Sequence, residues 1–283
     1  MKFCFFGYDY TIDIAQRLID DGHELLHIFS FPCDNRFSFN TELHNIAKYY
    51  NISVSETPAQ QGDIEALIQE GCALFLSAGY PYKLPVLDEE TAHGLNIHPS
   101  YLPQARGVMP LPHIIAKDPS AAGFSIHKHS NKFDGGDILY QERIEIDTQT
   151  DIETLSAHVA LRCPDAMSKV AADLGRYWAN AKPQDETKAS LYFEPKEPFR
   201  NLDWNDDVQT LLQKGRAFGR FGILARIENR FGQSQTLAVY NFTGWAEEHN
   251  QPTGTIIRSS AREIILAVKD GYILLKEFEI MVQ

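Results

Sequence analysis

Polar side chains able to donate and accept protons stand at the end of one apolar segment of this sequence. Asn96 and His98 lie two residues apart, and Pro99 follows directly. In an extended strand, residues two apart point to the same side. An amide and an imidazole that face the same way can donate hydrogen bonds to an oxygen atom that gains negative charge. A capped strand end with a structural histidine would have the same residues, so the motif alone decides nothing.

A second candidate segment, Gly123–Gln141, contains a carboxylate. Its first part alternates, with His127 and His129 on one side, and we expect both to be core or surface histidines, like His113. Asp134 follows in the sequence FDGGD, where two glycines permit an unusual backbone. A carboxylate there could orient a nearby histidine and raise its pKa, or accept a proton from an attacking amine. A hairpin turn rich in Asp and Gly is the alternative explanation.

The elements that must position these residues alternate between strand and helix patterns. Such alternation predicts parallel strands joined by crossover helices, and hence a Rossmann-like layered α/β domain. Ligands of such sheets bind at the carboxyl ends of the strands. The first strand–helix turn lacks the G-x-G-x-x-G spacing, so we do not expect a bound dinucleotide. The predicted strands are Lys2–Gly7, Glu24–Phe29, Ile52–Val54, Ala73–Ser77 and Gly94–Ile97, and the predicted helices are Ile12–Asp21, Glu42–Tyr50 and Asp63–Glu70.

A long helical pattern begins near Asp151. Thr150 and Glu153 match a capping box, and Pro164 should break or kink the helix. The polar stretch 181–188 contains a proline and reads as a linker. We therefore place a catalytic domain at residues 1–185 and a second domain at 190–283.

The second domain has the pattern of a small β protein. After a predicted helix at Val208–Arg216, short strand patterns recur at a spacing typical of a small barrel. Asp270-Gly271 is a hairpin turn signal. The predicted strands are Ile223–Ile227, Gln235–Asn241, Gly254–Arg258, Glu263–Val268 and Tyr272–Phe278.

The two polar segments together resemble one known family. NIHPSYLP, then ARG, GFSIH and FDGGDIL, in this order and spacing, are similar to the signature of the folate-dependent formyltransferases. The resemblance continues more weakly through Asn201–Trp204 and Gly215–Gly219, although Phe218–Gly222 departs from the family pattern. It implies a Rossmann-like formyltransferase domain followed by a smaller OB-like β-barrel.

The resemblance also implies the chemistry. The co-substrate is 10-formyltetrahydrofolate, and no metal is expected. Asn96 and a protonated His98 are the catalytic residues that stabilise the oxyanion when an amine attacks the formyl carbon. Asp134 orients His98 and helps to remove the proton of the amine. The pteridine ring is expected against Ala78–Leu84 and Lys128–Asp134. The residues implied for folate binding are Tyr80, Tyr82, Leu84, Asn131 and Phe133, and those implied for the acceptor side are Ser100, Arg106 and Gly107.

The acceptor is the open question. The formal net charge is −12, and the segment Phe29–Asn40 has one Arg and no Lys, whereas family members that act on Met-tRNA have a basic insertion there. Nucleic acid is therefore disfavoured, though not excluded. We expect a small-molecule amine, first of all a nucleotide-linked amino sugar. The alternatives are Met-tRNA, a siderophore or peptide precursor, hydrolysis of formyltetrahydrofolate, and a non-catalytic folate-binding module.

Location and assembly follow from simpler features. No apolar run approaches the ~20 residues that a membrane span requires, and we identify no signal peptide. The cysteines are scattered, which fits a reducing compartment without disulfides. We therefore expect a cytoplasmic protein with no membrane partner. A homodimer is expected only by analogy with the sugar-formylating members of the family.

Overall fold

The computed structural model describes residues 1–85, 87–88, 90–196, 199–229 and 231–281. The chain divides into two compact units. Residues 282 and 283, the end of the predicted second domain, lie outside the described residues. The first unit comprises 1–110, 120–145 and 156–192, and the second comprises 111–119, 146–155 and 193–283.

The elements agree with the predicted strands and helices to within a few residues, except that β12 extends several residues further at its C-terminal end. None of the helices in the described part of the chain is long and apolar enough to cross a membrane. The helices are α1 (Ile12–Asp20), α2 (Thr41–Tyr50), α3 (Gln61–Gln69), α4 (Pro110–Lys117), α5 (Ile152–Ala172), α6 (Leu174–Ala179) and α7 (Val208–Phe218). The strands are β1 (Lys2–Phe6), β2 (Glu24–Phe29), β3 (Ser53–Ser55), β4 (Cys72–Ala78), β5 (His93–His98), β6 (Arg106–Gly107), β7 (Gly123–Lys128), β8 (Ile138–Arg143), β9 (Leu191–Tyr192), β10 (Asn201–Leu202), β11 (Ile223–Glu228), β12 (Ser234–Ala246), β13 (Ile256–Ser259), β14 (Ile264–Val268) and β15 (Gly271–Ile280).

The first unit is built on a seven-stranded sheet in the order β3-β2-β1-β4-β5-β7-β8. Its first five strands are parallel, which confirms the Rossmann-like α/β prediction. The apolar residues of β1 and β4 are buried on both faces, as central parallel strands require. The last two strands were not foreseen as antiparallel. Because β7 runs back along β5, it places His127 beside Asn96.

The start of α5 corrects one prediction. Thr150 and Glu153 do not form a capping box. Asp151 caps the helix instead, since its Oδ1 accepts the N–H of Thr154 at 2.8 Å. The hydroxyl of Thr150 donates to the carboxylate of Asp147 at 2.9 Å, so it is engaged in the preceding turn.

The break predicted at the proline in α5 is absent. Pro164 lies inside an element that continues from Ile152 to Ala172. Proline removes one backbone hydrogen bond. Cys163 and Met167, on either side of it, are buried, and tertiary packing of this kind overrides a local helix breaker.

The predicted linker at 181–188 is an ordered part of the first unit. Lys182 forms a two-way backbone bridge with Ile138, with N···O distances of 2.8 and 2.9 Å. Glu186–Lys188 forms a short 3₁₀ helix. The prediction was wrong because the polar residues of this stretch, which resemble those of a solvated loop, bond to the sheet.

The second unit is built on a six-stranded sheet in the order β10-β11-β12-β15-β14-β13. It is antiparallel except for the β10–β11 pair. The hairpin between β14 and β15 is present, but its turn lies at Lys269 and Asp270, one residue before the predicted position. Within the described residues no pairing joins β13 to β10. The C-terminal sheet is therefore confirmed, and the OB-like barrel stays a prediction.

Candidate active site

The three predicted catalytic residues meet at the carboxyl end of β5. Asn96 and His98 come from β5 itself, and Asp134 comes from the turn between β7 and β8. The Asn96 Nδ2 donates to Asp134 Oδ1 at 3.2 Å. The Nδ1 of His98 lies 3.5 Å from Asp134 Oδ2. One carboxylate thus contacts both the amide and the imidazole, and its contact with His98 is the one that the resemblance implied.

The unusual backbone of this turn belongs to Asp134 itself rather than to the glycines. Its φ is 47°, in the left-handed region, where Asp is tolerated better than most residues. Gly136 has a different function, because a Cβ there would collide with the carbonyl oxygen of Lys128. The turn therefore needs one glycine for close approach of two backbones and one aspartate in a strained conformation.

His98 is buried, and its two ring nitrogens have separate partners. Nε2 lies 2.8 Å from the carbonyl oxygen of Ala105, so this nitrogen carries the proton and donates it. Nδ1 faces Asp134. Burial lowers the pKa of His98 below its ordinary value, although the charge of Asp134 opposes that shift. The neutral ring is favoured here, in contrast to the protonated His98 that the resemblance implied.

Asp134 remains ionised at neutral pH. Burial alone would raise its pKa, but His98, His127 and the backbone N–H of Gly107 more than offset this and lower the pKa below its ordinary range. The Gly107 N–H donates to Asp134 Oδ2 at 2.8 Å. A proton that arrives at His98 Nδ1 would therefore face a carboxylate, which stabilises the imidazolium.

His127 lies in the site, although it was expected from the sequence to be a core or surface histidine. It is buried, with Nε2 at 3.1 Å from Asn96 Nδ2 and 3.5 Å from Asp134 Oδ1. Its Nδ1 lies 2.8 Å from the carbonyl oxygen of Lys128. The alternation of β7 was the available signal, but without the antiparallel pairing it could not show which strand His127 would face. His113 lies in the second unit, where it stacks on Phe199.

Two further polar residues lie on the other side of Asn96. The Oγ of Ser77, on β4, is 2.7 Å from Asn96 Oδ1. The same oxygen is 3.0 Å from Nε2 of His129. The amide of Asn96 thus has a polar partner on each side.

The residues predicted for folate binding lie in two loops of the first unit. Tyr80 and Tyr82 follow β4, with ring centroids 5.3 Å apart in an edge arrangement. Leu84 packs against the core of this unit. Asn131 is exposed, and Phe133, 67% exposed, precedes Asp134 directly. Exposed or half-exposed aromatic rings of this kind offer apolar surface to a planar ligand.

Two of the residues predicted for the acceptor side have internal partners instead. Ser100 is fully buried, and its hydroxyl donates to the carbonyl of Gln104 at 2.8 Å. Gly107 holds Asp134 through its N–H. Ser100 therefore stabilises the loop after β5, and its hydroxyl is engaged with the Gln104 carbonyl rather than available to the formyl-accepting substrate.

Arg106 is buried and paired rather than open to an acceptor. Its Nε and Nη2 donate to Gln184 Oε1 at 3.0 and 2.7 Å, and Nη2 lies 3.1 Å from Glu186 Oε1. The Nε2 of Gln184 donates at 2.7 Å to the carbonyl oxygens of both Asp134 and Gly136. This Arg106–Gln184 clamp holds the strained turn of Asp134 from the backbone side.

The clamp yields a prediction. Gln184→Ala removes both hydrogen bonds to the turn, so Asp134 moves relative to His98. We expect kcat for the reaction that the resemblance implies to fall about tenfold, since small misplacements of catalytic groups cost up to 10²-fold. Steady-state kinetics of the purified variant provide the test. Gln16→Ala, which removes a surface glutamine bonded to Asp20 and Tyr50, is the matched control. A Gln184→Ala enzyme with unchanged kcat would contradict the clamp.

The residues of this chain match a known protein family. Residues 55–171, which include the three predicted catalytic residues, match the family model for formyl transferase. The methionyl-tRNA formyltransferase of Finegoldia magna is 23% identical over 96% of this chain and 89% of its own length. That of Hydrogenovibrio crunogenus is 25% identical over 96% of this chain and 88% of its own.

Solved structures share the fold. WlaRD, a sugar 3N-formyl transferase solved in the presence of dTDP and 5-N-formyl-THF, superposes with a TM-score of 0.68 at 15% identity, over 98% of this chain and 97% of its own. HypX from Aquifex aeolicus, in complex with tetrahydrofolic acid, gives a TM-score of 0.69 at 16% identity. This chain spans 44% of the HypX chain.

Fold, site and family match together define an enzyme of formyl transfer. The match over residues 55–171 and the sequence relatives together support a folate-dependent formyltransferase, a family whose members use formyl-tetrahydrofolate. In the described part of the chain, no group of three or more His, Cys, Asp or Glu side chains could hold a metal ion.

Proposed function

We propose that this enzyme moves the formyl group of 10-formyltetrahydrofolate to the primary amine of a small molecule, a nucleotide-linked amino sugar before all others. The observation that supports formyl transfer most strongly is the ionised Asp134 in contact with Asn96 and His98, inside the matched region. The folate would lie against Tyr80, Tyr82, Leu84, Asn131 and Phe133.

In the proposed reaction, the nitrogen of the acceptor amine attacks the formyl carbon. The carbonyl π electrons move to oxygen, and an N–H of Asn96 Nδ2 donates to that oxyanion. The proton lost by the amine passes to the pair formed by His98 Nδ1 and Asp134. The carbon–nitrogen bond to the folate then breaks, and the leaving folate nitrogen takes that proton, so the enzyme returns to its initial state.

Charge supports a small acceptor. Residues 1–192 contain 26 Asp or Glu and 15 Lys or Arg, which accounts for eleven of the twelve net negative charges. The segment 29–40 forms a turn around the carboxylate of Asp34. Its Oδ1 accepts hydrogen bonds from the backbone N–H groups of Arg36, Phe37 and Ser38. The guanidinium of Arg36 lies 5.0 Å from the Phe37 ring centroid. Binding of tRNA needs an excess of positively charged side chains near the phosphates. This segment has one Arg and one Asp, so it supplies no such excess.

The solved structures add support for a sugar acceptor. The N-formyltransferase of Helicobacter canadensis, in complex with folinic acid and dTDP-3-aminofucose, superposes with a TM-score of 0.65 at 15% identity. The superposition covers 98% of this chain and 99% of the Helicobacter canadensis chain. A sugar nucleotide has its own two phosphates, so binding it needs only local donors rather than a wide basic surface.

Methionyl-tRNA is the second candidate acceptor, because the curated relatives are methionyl-tRNA formyltransferases that align over nearly the whole chain. Their identity of 23 and 25% is compatible with a change of acceptor.

An acceptor assay separates the two. Purified enzyme with 10-formyltetrahydrofolate is offered a panel of dTDP- and UDP-linked amino sugars and, in parallel, charged initiator tRNA. We expect at least one sugar to be formylated at a rate that is nearly independent of salt between 50 and 200 mM, the interval over which phosphate-dependent tRNA binding falls by about 10³ or more. Efficient formylation of the tRNA at physiological salt, with no sugar formylated, would overturn the proposed acceptor.

Domain organisation stays part of the proposal. We propose a catalytic domain at residues 1–185 and an OB-like barrel at 190–283, supported by the mostly antiparallel sheet of the second unit. A cytoplasmic location and a homodimer are proposed with them.

A further inference from the structure

The amide of Asn96 is flanked by a pair of polar side chains that the proposed reaction does not use. Ser77, Asn96 and His127 occupy matching positions on the neighbouring strands β4, β5 and β7. Ser77 is buried, and His129 reaches it from the chain just after β7. We call Ser77 and His129 the Ser77–His129 arm.

The direction of each hydrogen bond in this arm follows from Asp134. Its ionised carboxylate only accepts, so the side of the Asn96 amide at 3.2 Å from it must be the NH₂ group. The amide oxygen then faces Ser77 at 2.7 Å, and Ser77 must donate to it. Because the single hydroxyl proton of Ser77 is used there, His129 Nε2 must be the donor across the 3.0 Å contact to Ser77.

His129 is suited to a fixed donor. Burial lowers its pKa to about 3, so the ring stays neutral and has a single N–H. Its Nδ1 has no hydrogen-bond partner among the described residues. A buried nitrogen without a hydrogen-bond partner destabilises the folded protein. The protein tolerates that cost at a position where the other nitrogen sets the direction of the Ser77 hydroxyl.

The arm matters most in the middle of the reaction. While Asp134 is charged, it favours the Asn96 NH₂ group on its own side, together with the Nε2 of His127 at 3.1 Å from Asn96 Nδ2. When the amine proton reaches His98 and Asp134, the preference of that carboxylate weakens. On the opposite side, the Ser77 hydroxyl still requires the amide oxygen, because its own lone pair accepts from His129.

We propose that Ser77 and His129 are positioning residues that hold the Asn96 amide in its oxyanion-binding orientation while the proton of the amine is carried by His98 and Asp134. This inference rests on the proposed function of the site. It predicts that loss of the arm slows the chemical step and leaves binding of both substrates largely intact.

The test uses Ser77→Ala, Ser77→Thr and His129→Leu in the full-length enzyme. With 10-formyltetrahydrofolate and the dTDP-linked amino sugar or tRNA that wild type formylates, Ser77→Ala and His129→Leu should each lower kcat about tenfold. KM for both substrates should stay within about twofold. Ser77→Thr, which keeps the hydroxyl, should retain about a third or more of the wild-type kcat.

Two further measurements distinguish a positioning role of Ser77 and His129 from a packing role: the kinetics of the double variant and the tautomer of His129. The double variant should lose no more than Ser77→Ala alone, because His129 acts through Ser77. In ¹⁵N NMR of unliganded wild type, His129 should be the Nε2–H tautomer and should stay neutral at pH 5. Additive losses, a wild-type kcat in Ser77→Ala, or an Nδ1–H tautomer would overturn the inference. A wild-type enzyme that formylates no amine would instead refute the proposed function, and the tautomer measurement would still decide the arm.

Discussion

His98→Ala should lower kcat for formyl transfer by a factor on the order of 10² or more. The imidazole contacts both the Ala105 carbonyl, at 2.8 Å, and Asp134, at 3.5 Å. Its removal takes away one member of the pair that accepts the amine proton and leaves Asp134 buried beside a cavity. Tetrahydrofolate release, followed with a saturating acceptor, measures the loss.

His44→Ala is the matched control for this substitution. His44 is half-exposed on α2, where it pairs with Glu56 at 3.0 Å, and it has no contact with the site. We expect normal kcat in the control. Near-normal turnover in His98→Ala, with the fold intact by circular dichroism, would remove His98 from the mechanism.

Asp134→Asn should have an effect of similar size. Asn is chosen because it tolerates the left-handed φ of 47° nearly as well as Asp, whereas Ala would add backbone strain. The amide keeps the shape and removes the charge that stabilises a proton on His98. We expect kcat to fall on the order of 10²-fold. Asp137→Asn, three residues along the same chain segment, is the control.

The acid limb of the pH profile of kcat/KM should shift in a defined direction in Asp134→Asn. The charge of Asp134 raises the pKa of His98, in opposition to burial, which lowers it. In wild type, kcat/KM should fall as the pH decreases through the lowered pKa of His98, below 6.5. Without the carboxylate that pKa decreases further, so the acid limb of the variant should move to lower pH. An acid limb that moves to higher pH would contradict the assigned contact.

Stability should respond in the same variant. The folded-state pKa of Asp134 lies below its ordinary value, so its ionisation stabilises the protein above the unfolded pKa, about 3.9. That contribution is lost as the pH falls toward the folded-state value. Acid unfolding of Asp134→Asn should therefore show a shallower dependence on pH than wild type in that range.

The sequence predicted the trio through the order and spacing of the segments that resemble the formyltransferase signature. Asn96 and His98 fall at one strand end, and Asp134 lies in a turn marked by glycines. The parallel part of the sheet was equally predictable, since apolar runs and helical spacing alternate along the chain. In the parallel sheet, the residues that define each strand and helix are near one another in the sequence.

The rest of the site depends on contacts between distant segments. His127 reaches Asn96 only because β7 is antiparallel to β5, and no periodicity encodes that direction. Arg106 appeared free for an acceptor because its partner Gln184 lies 78 residues away, in a stretch that resembled a linker. The resemblance implied a protonated His98, whereas burial lowers the pKa of this ring and favours the neutral form.

Transfer of a labelled formyl group tests the central claim most directly. Three proteins are compared: wild-type enzyme, His98→Ala and Asp134→Asn. Each is incubated with ¹³C-formyl-labelled 10-formyltetrahydrofolate and a nucleotide-linked amino sugar, and the products are separated and analysed by mass spectrometry. We predict that the labelled carbon appears on the sugar amine, one for each tetrahydrofolate released, and that both variants transfer it at least about 10²-fold more slowly. Release of labelled formate with no label on any amine, or equal transfer by all three proteins, would contradict the account.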